Sequence, residues 1–155
     1  MKVNGAAVDP PPGHRLLSSY LREELGLTSV KLACERGECG ACTVLVRDRP
    51  VASCVLPAAL ADDVETSEGV VKETRELRAY LADLGGFQCG FCTPGQIMSA
   101  LPLIRRGLPE DDDEARRVIR RALAGNICRC TGYTGLVEAT LRASRRTSPG
   151  PRGTA

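Results

Sequence analysis

Apolar positions along this chain follow two different periods. In the first half they come in short β-prone runs broken by turn residues. Val3-Asn4-Gly5-Ala6 carries the Asn-Gly signal of a tight hairpin. Leu16, Leu17, Tyr20, Leu21 and Leu25 fall at helical spacing, and Gly26 stands where a C-terminal cap belongs. Thr43-Val44-Leu45-Val46 and Val51-Ala52-Ser53 read as a second hairpin around Asp48-Arg49-Pro50. In the second half the period becomes helical throughout. Leu77, Tyr80, Leu81 and Leu84 mark one helix, stopped by Gly85-Gly86. Pro94 suits the first turn of the next, which runs through Ile97, Met98, Leu101 and Ile104; Pro102 inside that pattern predicts a kink or an early end. A third helix, capped by Asp111 or Asp112, holds Val118, Ile119, Ala122 and Leu123, and a fourth carries Leu136, Val137, Ala139 and Leu141.

The pattern gives an α+β unit to about Thr66, a linker over Ser67 to Thr74, and then a helical bundle. The boundaries fall at residues 1–72 and 73–148, with a disordered tail over 149–155.

Composition changes the picture in one respect. The 155 residues are 43% hydrophobic but only 3% aromatic, with no tryptophan, so two half-size units would each have a thin core. Units of that kind need a metal, disulfides or a partner for stability, and eight cysteines are available. The net charge of +2 excludes little. Arg142, Arg145, Arg146 and Arg152 read as a solvated helix end running into the disordered tail rather than a nucleic-acid site, since no aromatic stacking residues accompany them. The run Asp111-Asp112-Asp113-Glu114 is explained by capping and the helix dipole rather than by a cation site. Met1 to Pro12 has no apolar core of a secretory signal, and the most apolar stretch, Val55 to Ala61, is too short to span a bilayer. The expected location is therefore the reducing cytoplasm, where cysteines favour metal or redox chemistry over disulfides.

The cysteines form two complete sets. Cys34-x4-Cys39-x2-Cys42 followed by Cys54 has the spacing of plant-type 2Fe–2S ferredoxins. Three thiolates on one loop must turn inward around a compact cluster, and Gly37 and Gly40 permit the tight wrapping. Backbone N–H groups freed by that wrapping can point at sulfur. The second set is Cys89-x2-Cys92 with Cys128-x-Cys130. Both of its pairs precede helices, whose N-termini favour an anionic cluster. Zinc is the inorganic rival, but C-x-C and the three-cysteine loop match its usual C-x2–4-C spacing poorly. A thioredoxin-like reading of Cys89-Gly-Phe-Cys92 fails because no βαβ pattern surrounds it. His14, the single histidine, is expected on a surface loop. Phe87 and Phe91 are expected in core or interface packing.

Three stretches carry a resemblance: Lys31-Leu-Ala-Cys34-Glu-Arg-Gly-Glu-Cys39-Gly-Ala-Cys42-Thr-Val-Leu45, Gly86-Phe-Gln-Cys89-Gly-Phe-Cys92-Thr-Pro-Gly95, and Gly125-Asn-Ile-Cys128-Arg-Cys130-Thr-Gly-Tyr133. In order and spacing they resemble the small iron–sulfur subunit of the xanthine dehydrogenase, aldehyde oxidoreductase and carbon monoxide dehydrogenase (molybdenum hydroxylase) family. The resemblance covers about Lys2 to Ala143. It implies an N-terminal β-grasp ferredoxin-like domain and a C-terminal four-helix-bundle domain, each with one 2Fe–2S cluster. It implies that Cys34, Cys39, Cys42 and Cys54 bind one cluster, and Cys89, Cys92, Cys128 and Cys130 the other. Gln88 and Cys130 would face a molybdopterin held by a separate large subunit, and the first cluster would lie toward an FAD-binding medium subunit. Three positions depart from the family pattern: Ser29 and Ala33 replace common glycines, and Arg49 follows Asp48 where Asp-Gly is usual.

The resulting expectation is the electron-transfer subunit of a molybdenum-containing oxidoreductase, relaying electrons from molybdopterin through two clusters to FAD. It implies no substrate catalysis by this chain alone, no nucleic acid and no membrane insertion. The chain has no G-x-G-x-x-G fingerprint, so dinucleotide chemistry would lie elsewhere. The alternative is a free-standing 2Fe–2S ferredoxin. A zinc-stabilised interaction module is a third reading.

Overall fold

The computed structural model describes residues 1–11 and 13–147; the expected tail over 149–155, with Arg152, lies outside the described residues. Strands β1 (Lys2–Val3) and β2 (Ala6–Ala7) form the first hairpin about Asn4 and Gly5, both at positive φ as a type I′ turn requires. Strands β3 (Thr43–Val46) and β4 (Arg49–Ala52) form the second. A fifth strand, β5 (Asp63–Glu65), pairs parallel to β1 and antiparallel to β3, giving the order β2-β1-β5-β3-β4. Helix α1 (Leu17–Ser19), continued by a wider π turn (Tyr20–Glu24), lies over this sheet. Leu17, Tyr20 and Leu21 pack there with Val3, Val30, Val44 and Val64 in a core that also contains Cys42 and Cys54.

Three expectations change here. The second hairpin turns at Arg47 and Asp48, both at positive φ, and β4 begins at Arg49; Pro50 is tolerated because β4 is an edge strand. β5 was not legible, because three residues of which only Val64 is buried carry no periodic signal. The first helix keeps its apolar spacing but is wound as a π turn, with Leu25 N–H donating to Tyr20 C=O at 3.2 Å.

The second half is a bundle of α2 (Arg75–Asp83), α3 (Thr93–Arg106), α4 (Asp112–Leu123) and α5 (Thr134–Thr147). α5 packs against the other three. Its core gathers Leu77, Leu81, Ile97, Ile119, Leu123, Leu136 and Leu141. Asp111 caps α4, accepting the Glu114 N–H at 2.7 Å. α3 runs on past Pro102 rather than ending there. Leu101 and Ile104 are buried on either side of the proline, and that burial offsets one missing backbone hydrogen bond. Arg145 is not a merely solvated charge: it donates to Pro109 C=O at 2.5 Å and pairs with Asp112 at 3.0 Å.

The two units meet along α3. A third small core joins Leu45 of β3 and Val70 of the connecting turns to Met98 and Leu101 of α3. At the far end of α3, Arg105 reaches three carboxylates. Its Nε and Nη2 donate to Glu73 (2.8 and 2.7 Å), its Nη1 and Nη2 to Glu65 (2.7 and 2.9 Å), and its Nη1 also to Asp48 at 2.9 Å. All five N–H groups of the guanidinium are thereby used. Glu73 first and Glu65 next drive its pKa further up.

Candidate metal centres

The first cysteine set is assembled by the β3–β4 hairpin and the loop before it. The register Thr43↔Ala52 places Cys42 and Ser53 side by side, and the Ser53 hydroxyl donates to Cys42 C=O at 2.7 Å. Cys54 follows in a short 3-10 turn (Ser53–Val55), so Cys42 and Cys54 share one end of the hairpin. The loop from Cys34 to Cys42 curls back over them, with Glu35, Gly37 and Gly40 all at positive φ. That curl aims the N–H groups of Arg36 and Cys39 at Cys34 Sγ, each at 3.4 Å. These bonds, from Arg36 first, bring the Cys34 thiol down to about 6, whereas burial pushes Cys54 up to about 11.

The second set lies where two helices begin. Cys92 is the N-cap residue of α3, and Cys128 and Cys130 sit on the loop leading into α5. Cys130 and Cys89 Sγ atoms are 3.6 Å apart. Tyr133, at positive φ, braces the loop: its hydroxyl accepts the Cys128 N–H at 2.6 Å. The Thr131 hydroxyl donates to Cys128 Sγ at 3.4 Å and accepts the Tyr133 N–H at 3.4 Å. Burial opposes ionisation of Cys128, but hydrogen bonds from Thr131 outweigh it and bring the thiol down to about 7. Burial pushes Cys92 up to about 12. The Phe91 N–H lowers Cys89, while the hydrogen bond with Cys89 raises Cys130.

Within each set the thiols approach one another in pairs. Cys89 and Cys130 do so at 3.6 Å, and Cys34 with Cys39, Cys42 with Cys54 and Cys92 with Cys128 lie near enough to shift one another's ionisation. All eight are free thiols. Among the described residues no three His, Cys, Asp or Glu side chains converge as a site for one metal ion. A tetrahedral zinc site needs four sulfurs around a single point. Four thiols spread over each set suit a binuclear group better than a single ion, and the N–H···S and O–H···S bonds suit its negative charge. The donor set therefore fits a 2Fe–2S cluster at each site.

The two sets are also in direct contact. Ile127 N–H donates to Cys39 C=O at 2.9 Å, and Ile127 is the residue before Cys128. Asn126, buried, donates from Nδ2 to Gly40 C=O at 3.0 Å and to Thr43 Oγ1 at 3.4 Å. A side chain at Gly40 would meet the Gly125 carbonyl at 2.5 Å, so only glycine lets these loops approach. Asn126, Thr131 and Tyr133 lie inside the recognisable motifs, yet nothing in their spacing announces these roles.

The outer edge of the second set is open. Cys89, Cys130 and Gln88 are exposed, and Gln88 Nε2 donates to Cys130 C=O at 2.9 Å. Phe87, Phe91 and Ile127 beside them are 41%, 45% and 59% exposed, which removes the two phenylalanines from any core role. His14 is exposed, as expected of a loop residue.

Comparison with known proteins agrees with this arrangement. The 2Fe-2S iron-sulfur cluster binding domain matches residues 1–77, and the [2Fe-2S] binding domain matches residues 66–141. The nicotinate dehydrogenase small FeS subunit of Eubacterium barkeri is 41% identical over 152 residues, covering 94% of each chain. Quinoline 2-oxidoreductase from Pseudomonas putida 86 superposes with a TM-score of 0.75 at 34% identity, over 93% of each chain. The aldehyde oxidoreductase from Desulfovibrio desulfuricans ATCC 27774 superposes at 0.78 with 37% identity, over 93% of this chain and 16% of that longer one.

Proposed function

The chain belongs to the small iron–sulfur subunits of the xanthine dehydrogenase and aldehyde oxidoreductase (molybdenum hydroxylase) family, and on that premise we propose that it relays electrons between a molybdopterin site on a large subunit and an FAD site on a medium subunit. Cys34, Cys39, Cys42 and Cys54 hold one 2Fe–2S cluster, and Cys89, Cys92, Cys128 and Cys130 the other. When bound, the clusters supply one-electron transfer. The chain's own residues fix where that can happen. Backbone N–H groups and the Thr131 hydroxyl stabilise charge on sulfur, and burial of Cys42 and Cys54 keeps water from the inner side of the first site.

The observation that carries the reading is the gathering of four thiols at each of two sites, with N–H groups aimed at Cys34, with Cys89 beside Cys130, and with the Cys39–Ile127 hydrogen bond joining the two. One hydrogen bond and a single further peptide unit connect a ligand of one site to a ligand of the other. The exposed edge formed by Gln88, Cys89 and Cys130 is the side that faces the pterin. Our division of the units between residues 72 and 73 has the support of the two family matches, which overlap over 66–77. No described helix is long and apolar enough to cross a membrane, and eight free thiols favour the cytoplasm as the working compartment. The free-standing ferredoxin reading is weaker, because the relatives are subunits or segments of larger oxidoreductases.

The test is iron and acid-labile sulfide per chain, with EPR on the anaerobically purified, dithionite-reduced protein. Two irons and two sulfides for each four-cysteine set, with two distinct signals, are the expected result. Zinc, or a single cluster, refutes the relay.

A further inference from the structure

α3 and β3 lie side by side and run in the same direction from the cysteines. α3 begins at Cys92, and β3 begins one residue after Cys42. Gly95 of α3 packs against the carbonyls of Gly40 and Ala41, so both struts start from the contact between the two cysteine sets. They end together as well, where Arg105 meets Asp48 at the hairpin tip. From Thr93 to Arg105 a helix advances about 20 Å, and from Cys42 to Asp48 a strand advances about 20 Å. Matched struts joined at both ends form a closed frame, with Leu45, Met98, Leu101 and Val70 packed between them.

The far joint is built at a cost. Asp48 holds φ at +60° and Arg47 at +49°, a conformation that favours glycine or asparagine. Arg47 is held there by Asp62 of its own unit, through its Nε at 2.9 and 2.7 Å. Asp48 faces Arg105, and its other oxygen faces Arg106 at 3.3 Å. The second partner from the sheet, Glu65, receives Arg105 bidentately. Arg105 is only 24% exposed, so water competes weakly for its donors. Glycine at position 48 would relax the turn and lose one of the two carboxylates that hold the units together.

We propose that Arg105, Asp48 and Glu65 are positioning residues that set the separation and orientation of the two iron–sulfur sites from the far end of this frame. Without the clamp only the small core of Leu45, Val70, Met98 and Leu101 limits a pivot of α3 about the Gly95–Gly40 contact. A pivot there strains the Cys39–Ile127 and Asn126–Gly40 hydrogen bonds, while every cysteine keeps its place in its own unit. This inference rests on the two-cluster reading above.

The test uses the anaerobically purified full chain with the subunits that accompany it, reduced by dithionite. The readout is the magnetic coupling between the two reduced clusters, taken from line splitting and relaxation in pulse EPR. Asp48→Gly/Glu65→Gln removes both carboxylates of the sheet unit and leaves the Arg105–Glu73 pair intact. The expected result is native iron content and two cluster signals, with the coupling weakened or spread over a wider range. Arg105→Lys, which keeps the charge but not the five-donor fork, should fall between this variant and the parent. If the double variant loads poorly, Asp48→Gly alone carries the test. Wild-type coupling in a fully loaded variant overturns the proposal, as does a parent protein with two clusters and no mutual coupling. A parent protein without two clusters refutes the functional reading instead.

Discussion

Gly95→Ala sets two effects of opposite sign against each other. Gly95 lies in the first turn of α3, where alanine would favour the helix by at most about 1 kcal/mol. The added methyl would point at the Gly40 carbonyl, well inside van der Waals contact, and would also lie 3.2 Å from the Ala41 carbonyl. Both obstacles are backbone, and both belong to the loop carrying Cys39 and Cys42, so neither can rotate away. Restoring an ordinary carbon–oxygen separation requires a shift on the order of 1 Å. Overpacking of this kind costs about 1–3 kcal/mol, and loss of the part-buried Asn126–Gly40 bond adds about 1 kcal/mol. The net expectation is destabilisation by about 1–3 kcal/mol, or roughly 2–10 °C in Tm for a chain of this size. Thermal unfolding of the anaerobically purified chain measures it, with Gly125→Ala as control, since a methyl there meets nothing within 4 Å. A Gly95→Ala protein as stable as the parent, or more so, would show that the loops are not in contact as described.

Other expectations are narrower. Cys128→Ser should abolish the second cluster and leave the first, seen as the loss of one EPR signal and half the iron; survival of both signals contradicts the ligand assignment. Thr131→Val removes the hydroxyl on Cys128 Sγ and should lower the midpoint potential of the second cluster in a redox titration, while Thr131→Ser should restore it. Glu68 is opposed by burial but held low by the Ser29 hydroxyl and the Thr66 hydroxyl. Its folded pKa therefore lies below the unfolded value of about 4.3, so its contribution is present above that pH and is lost as pH falls through the depressed value. Glu68→Gln should flatten the acid limb of a plot of Tm against pH, and an unchanged limb would remove Glu68 from the account.

How far the sequence reaches can be judged residue by residue. The Asn4-Gly5 hairpin, the stop at Gly85-Gly86 and the Asp111 cap are local, and each was legible because its cause lies within a few positions. The grouping of the cysteines in space, Cys42 beside Cys54 at one hairpin end and Cys89 beside Cys130, was legible because their spacing along the chain is itself the signal. The second turn was misplaced onto Asp48-Arg49-Pro50, because what holds Arg47 and Asp48 at positive φ is Asp62 and Arg105, distant in sequence. The same holds for β5, which exists only between β1 and β3. Ser29, a departure at a common glycine position, is taken up by Glu68, whose carboxylate receives both its N–H and its hydroxyl.

The two cysteine sets differ in how much chain they tie together. Cys42 and Cys54 close a short hairpin that β3 and β4 already form, whereas Cys89 and Cys130 are 41 positions apart. The entropy of closing a loop grows with the logarithm of its length, so a metal bridge across the second set restrains the unfolded chain by about 1 kcal/mol more. Iron at the second site would therefore act as a clasp on the bundle, and its removal by a chelator should loosen the helices before the sheet. In a protein with so few large side chains, the prosthetic group is then part of the architecture that it serves.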